Sequence, residues 1–180
     1  MGLNDFSGHI VAKGNGYDLI SGKAQLKADV SINRFAYGGY DLSGLRFQTL
    51  LKGHKALFEA AINNEIVKGD VQAELMLERL ISIKADANIE QADLRRLNVT
   101  TDTLSAGGQL HLYATTDRQF NRITANGIAD HLFAVSPSRG FSTDDIHFNF
   151  KTGSDSTMVG INSGDLRLLL ATKGDINRLA

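Results

Sequence analysis

The sequence predicts an all-β protein built on one elongated, mainly antiparallel sheet, and three observations predict it. Segment after segment alternates apolar and polar residues with a period of two, which puts one set of side chains on each face of a strand. Eighteen glycines, with short clusters of Asn, Ser and Asp, separate those segments at spacings that suit tight reversals. Proline occurs once, at Pro137, so nearly every residue keeps the backbone donor that a ladder needs.

The clearest strand starts at Lys23. Ala24, Leu26, Ala28, Val30 and Ile32 fall on one face, and Lys23, Gln25, Lys27, Asp29 and Ser31 on the other. The same alternation sets Val71, Ala73, Leu75 and Leu77 against Gln72, Glu74 and Glu78, then Ile81, Ile83, Ala85, Ala87 and Ile89 against Ser82, Lys84, Asp86 and Asn88. These two runs abut at Glu78-Arg79-Leu80, which predicts a hairpin. Leu110, Leu112 and Ala114, then Ile123, Ala125 and Ala129, then Ile146, Phe148 and Phe150, then Leu166, Leu168 and Leu170 extend the pattern to roughly a dozen strands. Turns are predicted at Gly14-Asn15-Gly16, Gly38-Gly39, Asn63-Asn64, Gly107-Gly108 and Ser163-Gly164-Asp165. Two segments carry a hint of helix, Gln91 to Leu97 and Asp130 to Ala134, each too short to cover a sheet.

A sheet with one apolar face and no helices to cover it must curl, pair with a second sheet, or leave that face to a ligand. Alternating strands by themselves more often pack into a closed sandwich or barrel. Here the dry face is rich in small residues, Ala24, Ala28, Ala73, Ala85, Ala87, Ala114, Ala125 and Gly127, so facing walls need not fill the space between them. That composition favours an open face.

At 180 residues the chain suits a single domain over 1–180. Nineteen basic residues against twenty acidic ones give a net charge of −1, which leaves no broad field to draw nucleic acid or an anionic membrane surface. The absence of cysteine excludes disulfides and thiolate metal sites. There is no secretory signal at the start and no apolar run of about 18 residues; Leu166 to Ala171 is far too short. The chain opens on Met1-Gly2 and closes on Asp175-Ile176-Asn177-Arg178-Leu179-Ala180 in mid-pattern, as an excerpt from a longer repeat-containing protein would.

No nucleophile elbow, phosphate loop, dinucleotide fingerprint or His-Glu-x-x-His helix is present. The Gly-rich stretches precede strands, so they offer no helix N-terminus to a phosphate. Of the five histidines, His9, His54, His111, His131 and His147, the last sits in the densest group of ligand types, Asp144-Asp145-Ile146-His147. A metal site needs three or more converging ligands, and a solvated strand face accounts for this group. Arg34, Tyr37 and Tyr40 beside Gly38-Gly39 read either as a recognition loop or as local packing around a hairpin. The expectation is a protein without catalytic residues, metal or cofactor.

Three places join an alternating strand to a compact Asp-Leu type turn: Val30 to Leu45, Ala87 to Leu97, and Ala125 to Leu132. Their gaps are unequal, so the periodicity is degenerate. With Gly-Asp-Val-Gln-Ala-Glu-Leu at 69–75, Ala-Asp-Leu-Arg-Arg-Leu at 92–97 and Gly-Asp-Leu-Arg-Leu-Leu-Leu at 164–170, most of the chain resembles the repeat region of TamB and AsmA-like proteins. The wording is most similar to the versions found in Bacteroides-type bacteria. The resemblance implies a long envelope protein anchored in the inner membrane. Its β-rich body crosses the periplasm as a bent, U-shaped sheet, a "β-taco", around an apolar groove. That groove conducts phospholipid towards the outer membrane, and an outer-membrane β-barrel assembly protein can be engaged at the far end.

On this reading the dry-face residues named above, from Ala24 to Leu170, line a lipid groove whose partners are phospholipid acyl chains. The alternative is a structural or protein-interaction β-sandwich with a closed core, which would recognise partners by pairing at its edges. The raw edges of an excerpted sheet would also let copies associate side by side.

Overall fold

The computed structural model describes residues 3–16, 22–37, 40–41 and 43–174. Those residues form thirteen strands and no helix: β1 (Leu3–Asn15), β2 (Gln25–Tyr37), β3 (Tyr40–Asp41), β4 (Leu45–Lys52), β5 (Lys55–Asn63), β6 (Val67–Leu77), β7 (Leu80–Asp93), β8 (Ser105–Asp117), β9 (Ile123–Val135), β10 (Gly140–Ser142), β11 (Ile146–Thr152), β12 (Ser156–Ser163) and β13 (Leu166–Lys173). All belong to one sheet in the order β1-β2-β4-β5-β6-β7-β8-β9-β11-β12-β13, with β3 attached to β2 and β10 to β9. Every pairing is antiparallel. The sheet is not closed.

This is a meander, the topology that short polar connections dictate. Two-residue turns join β4 to β5 at Gly53-His54, β6 to β7 at Glu78-Arg79 and β12 to β13 at Gly164-Asp165, so the Glu78-Arg79 hairpin forms where the sequence predicts it. At the β5–β6 connection Asn64 organises the reversal. Its Oδ1 accepts hydrogen bonds from the backbone N–H of Ile66 (2.8 Å) and Val67 (2.8 Å), and its Nδ2 donates to Ser43 O (2.9 Å). The predicted turns at Gly14-Asn15-Gly16 and Asn63-Asn64 likewise fall at strand ends. The one predicted at Gly38-Gly39, with the loop between Tyr37 and Tyr40, lies outside the described residues.

Four expectations are corrected. Gln91 to Asp93 completes β7 and is followed by a single turn, not a helix. Asp93 Oδ1 accepts from the N–H of Arg95 (3.1 Å) and Arg96 (3.0 Å), and Leu97 N–H donates to Asp93 O (3.0 Å). The turn then stops because Asn98 adopts a left-handed conformation (φ 57°), as helix ends do. Asp130 to Ala134 lies inside β9, where β8 on one side and β10 on the other satisfy its backbone. Gly107-Gly108 is strand rather than turn. The β8–β9 register shifts between Gly107 and Gln109, and His131 opposite has φ 48°, so Asp130-His131-Leu132 is a β-bulge rather than the Asp-Leu turn of a third repeat. A Cβ on Gly107 would stand 2.6 Å from the Phe133 ring, which is why the bulge needs glycine there.

Register shifts also fall at Lys68/Gly69 in β6 and Ile89/Ala92 in β7. Gly69, Ile89 and Gly108 are consecutive cross-strand partners, so the irregularities align across four central strands. Aligned bulges raise local twist and bend the strands they interrupt.

Candidate functional site

The register resolves the alternation into two faces. One row of direct partners runs Ile10, Val30, Phe47, Ala60, Val71, Ala87, Leu110, Ala129, Ile146. The parallel row two residues along crosses all eleven strands of the main path: Ala12, Ala28, Thr49, Phe58, Ala73, Ala85, Leu112, Gly127, Phe148, Ile161, Leu168. A third contains Leu26, Leu51, Ala56, Leu75, Ile83, Ala114, Ala125, Phe150, Val159 and Leu170. Thr49 is the one polar residue in the three. Since a partner pair always shares a face, these rows form one apolar surface.

At one end the apolar face gives way to hydroxyls. Leu77 and Ile81 lead to Thr116, Ile123, Thr152, Thr157 and Thr172. Thr116, Thr152 and Thr157 are buried. Thr157 Oγ1 lies 2.7 Å from Thr152 Oγ1 and donates to Gly174 O at 3.0 Å, which satisfies both groups away from water.

The apolar face is shielded from water only partly. In β4, β5 and β11 half-buried positions alternate with exposed ones, and the half-buried set is the apolar rows. Ala24, Leu51 and Ile66 are the only buried hydrophobic residues among those described. The chain exposes 12456 Å², whereas a compact protein of 19.5 kDa exposes about 8,500 Å². A closed sandwich would bury Phe47, Phe58, Leu75 and Ile83 outright.

The residues expected to line a groove that lie in strands fall on this face, from Leu26 in β2 to Leu166, Leu168 and Leu170 in β13, and Ala24, just before β2, is buried. The structure adds Ile10 and Ala12 from β1, Phe47 and Leu51 from β4, Ala56, Phe58 and Ala60 from β5, and Val159 and Ile161 from β12. Their signal in the sequence is period-two alternation interrupted by Leu50, Leu57 and Met158, which pair onto the other face. Gly127 belongs to the face because the Phe148 ring of the neighbouring strand occupies the space a side chain would take.

The opposite face is mainly polar, with Leu50, Leu57, Ile128, Met158 and Leu169 among its residues. His111 Nδ1 is 2.6 Å from Asp86 Oδ1, and its Nε2 is 3.7 Å from Asp130 Oδ2; Asp130 Oδ1 in turn meets His131 Nδ1 at 3.1 Å. His54 Nδ1 sits 3.2 Å from Leu77 O. Asp144 and Asp145 precede β11 and, with His131 and His147, line a shallow depression at the sheet margin. Among the described residues no group of three metal-ligating side chains converges. An open depression of about 650 Å³ also lies on this face over β7, β8, β9, β11 and β12, lined by Lys84, Asp86, His111, Leu112, Tyr113, Asn126, Gly127, Ile128, His147, Phe148, Asn149 and Asn162.

Among the described residues no helix is long and apolar enough to cross a membrane. Comparison with models of protein families, with curated proteins and with solved structures finds no match to the chain.

Proposed function

We propose that the apolar face holds phospholipid acyl chains, and that the chain is a segment of a periplasm-spanning conduit supporting outer-membrane assembly. The sheet curls with this face inward as a U-shaped groove. The observation that carries the reading is an apolar surface that runs across eleven strands, with Thr49 as its one polar member in those rows, and that no other part of the described chain covers. The family resemblance of the repeats supplies the envelope setting, the inner-membrane anchor of the parent and an outer-membrane β-barrel partner.

The energetics suit transfer. A strand of nine residues spans about 30 Å, the length of an extended lipid tail or more. Burying about 14 methylenes at about 0.8 kcal/mol each removes about 11 kcal/mol of exposure to water, and a bilayer offers nearly the same. Exchange between face and membrane is therefore close to neutral, so a lipid can enter and leave. Small residues such as Ala28, Ala73, Ala85 and Ala87 leave room above the sheet for a guest.

A charge in the middle of this face desolvates badly beside a lipid tail. Transfer of a fluorescent phospholipid between two vesicle populations tests the reading. The chain accelerates transfer and Ala85→Asp abolishes the acceleration, with far-ultraviolet circular dichroism unchanged. Equal acceleration by a folded Ala85→Asp protein would overturn the groove.

β13 favours a second reading, an interaction module that recruits a strand at its edge. Leu166, Leu168, Leu169 and Leu170 are all exposed there, and one ladder side of β13 has no partner among the described residues, a template for pairing.

A further inference from the structure

An open depression lies on the polar face, on the opposite side of the sheet from the apolar rows. Two adjacent cross-strand rows make it. Asp86, His111, Ile128, His147 and Asn162 form one; Lys84, Tyr113, Asn126 and Asn149 form the other, ending on Gly160. Leu112, Gly127 and Phe148 also line it; all three lie in an apolar-face row, so their backbone is the floor. Its volume is about 650 Å³ and it is open to solvent, which suits a ligand laid along a surface more than one enclosed in a pocket.

The chemistry of the lining selects a class of ligand. The amides of Asn126, Asn149 and Asn162 bond to no other group among the described residues, so each offers donors and an acceptor to a guest. Asn149 lies over Gly160, where a Cβ would stand 2.6 Å from its Nδ2; glycine leaves the amide its place. Tyr113 stands 52% exposed between these polar groups and Lys84, an aromatic surface with a polar tip. Lys84 and Asp86 carry opposite charges on adjacent rows of the lining, and Asp86 is engaged with His111, so neither sign of charge is gathered on one side of the site. Neutral polar groups ranged about an aromatic ring match a polyhydroxylated ring with an apolar C–H face.

The geometry extends this to a chain of such rings. Asn126 and Asn149 are direct partners on neighbouring strands, as are His147 and Asn162, so the polar groups repeat at the strand spacing of about 4.8 Å. One pyranose unit of an extended glycan has about that length. We propose that this face binds an uncharged oligosaccharide laid across β8, β9, β11 and β12, with a ring stacked on Tyr113 and hydroxyls bonded to Asn126, Asn149 and Asn162.

Chitotriose, cellotriose and maltotriose, titrated into the isotope-labelled chain and followed by amide and side-chain NMR, test this. At least one trisaccharide at millimolar concentration shifts resonances of Tyr113, Asn126, Asn149 and Asn162, and the apolar-face residues Ala73 and Ala87 stay still. Tyr113→Ala and Asn149→Ala each weaken binding at least tenfold, while Tyr113→Phe, which keeps the ring, retains it. Both positions are on the polar face of the sheet, and unchanged spectra elsewhere check their folding. No shift with any of the three sugars, or binding unaltered in folded Tyr113→Ala, would overturn the proposal.

Discussion

Single side chains in this protein divide sharply by what covers them. Leu51 is among the few buried hydrophobic residues, so Leu51→Ala is expected to lower unfolding free energy by about 2–4 kcal/mol. Leu168→Ala, at an exposed edge position, is expected to stay below about 1 kcal/mol. Urea denaturation of the two variants compares them directly, and equal losses would mean that the apolar face is covered after all. Gly127→Leu would drive a side chain into the Phe148 ring, with an expected loss of about 1–3 kcal/mol. Thr157 is only 1% exposed, and Thr157→Val strips the hydroxyl bonded to Gly174 O and Thr152, for about 1–3 kcal/mol.

At the scale of the element, alternation was enough to find the strands and their dry faces wherever it ran unbroken, as from Ala24 to Ile32. It faltered in β4 and β5, where Leu50 and Leu57 face the polar side and Thr49 the apolar one. The helix expected from Gln91 to Leu97 failed because Asp93 caps one turn and Asn98 ends it. Asp93→Ala removes the side-chain acceptor of two backbone N–H groups and is expected to destabilise by about 0.5–2 kcal/mol, readable as faster amide exchange at Arg95 and Arg96. β13 carries leucine on both faces at an unpaired edge. Leu169→Lys, a charge of the kind that blunts natural edges, is expected to reduce concentration-dependent association in sedimentation velocity; unchanged association would place the contact elsewhere.

For the whole molecule, the alternation left the choice between an open sheet and a closed sandwich undecided, because both bury the same residues in the same period. Pairing order and exposed area separate them. With eleven alternating strands on the main path, β1 and β13 run in the same direction, so direct closure would need a parallel pair in an otherwise antiparallel ladder. The polar-face depression was illegible for a different reason. Lys84, Tyr113, Asn126 and Asn149 come from four strands, and only the register brings them side by side. A compact chain of this length has a radius of gyration of about 16 Å; small-angle scattering of the monomer is expected to give a clearly larger value. The central claim, that the apolar face holds lipid, is tested most directly by native mass spectrometry with lipid extraction of the chain purified gently from a bacterial periplasm. The expected result is stoichiometric phospholipid on the wild type and none on Ala85→Asp; a lipid-free, tightly folded wild-type monomer would contradict it.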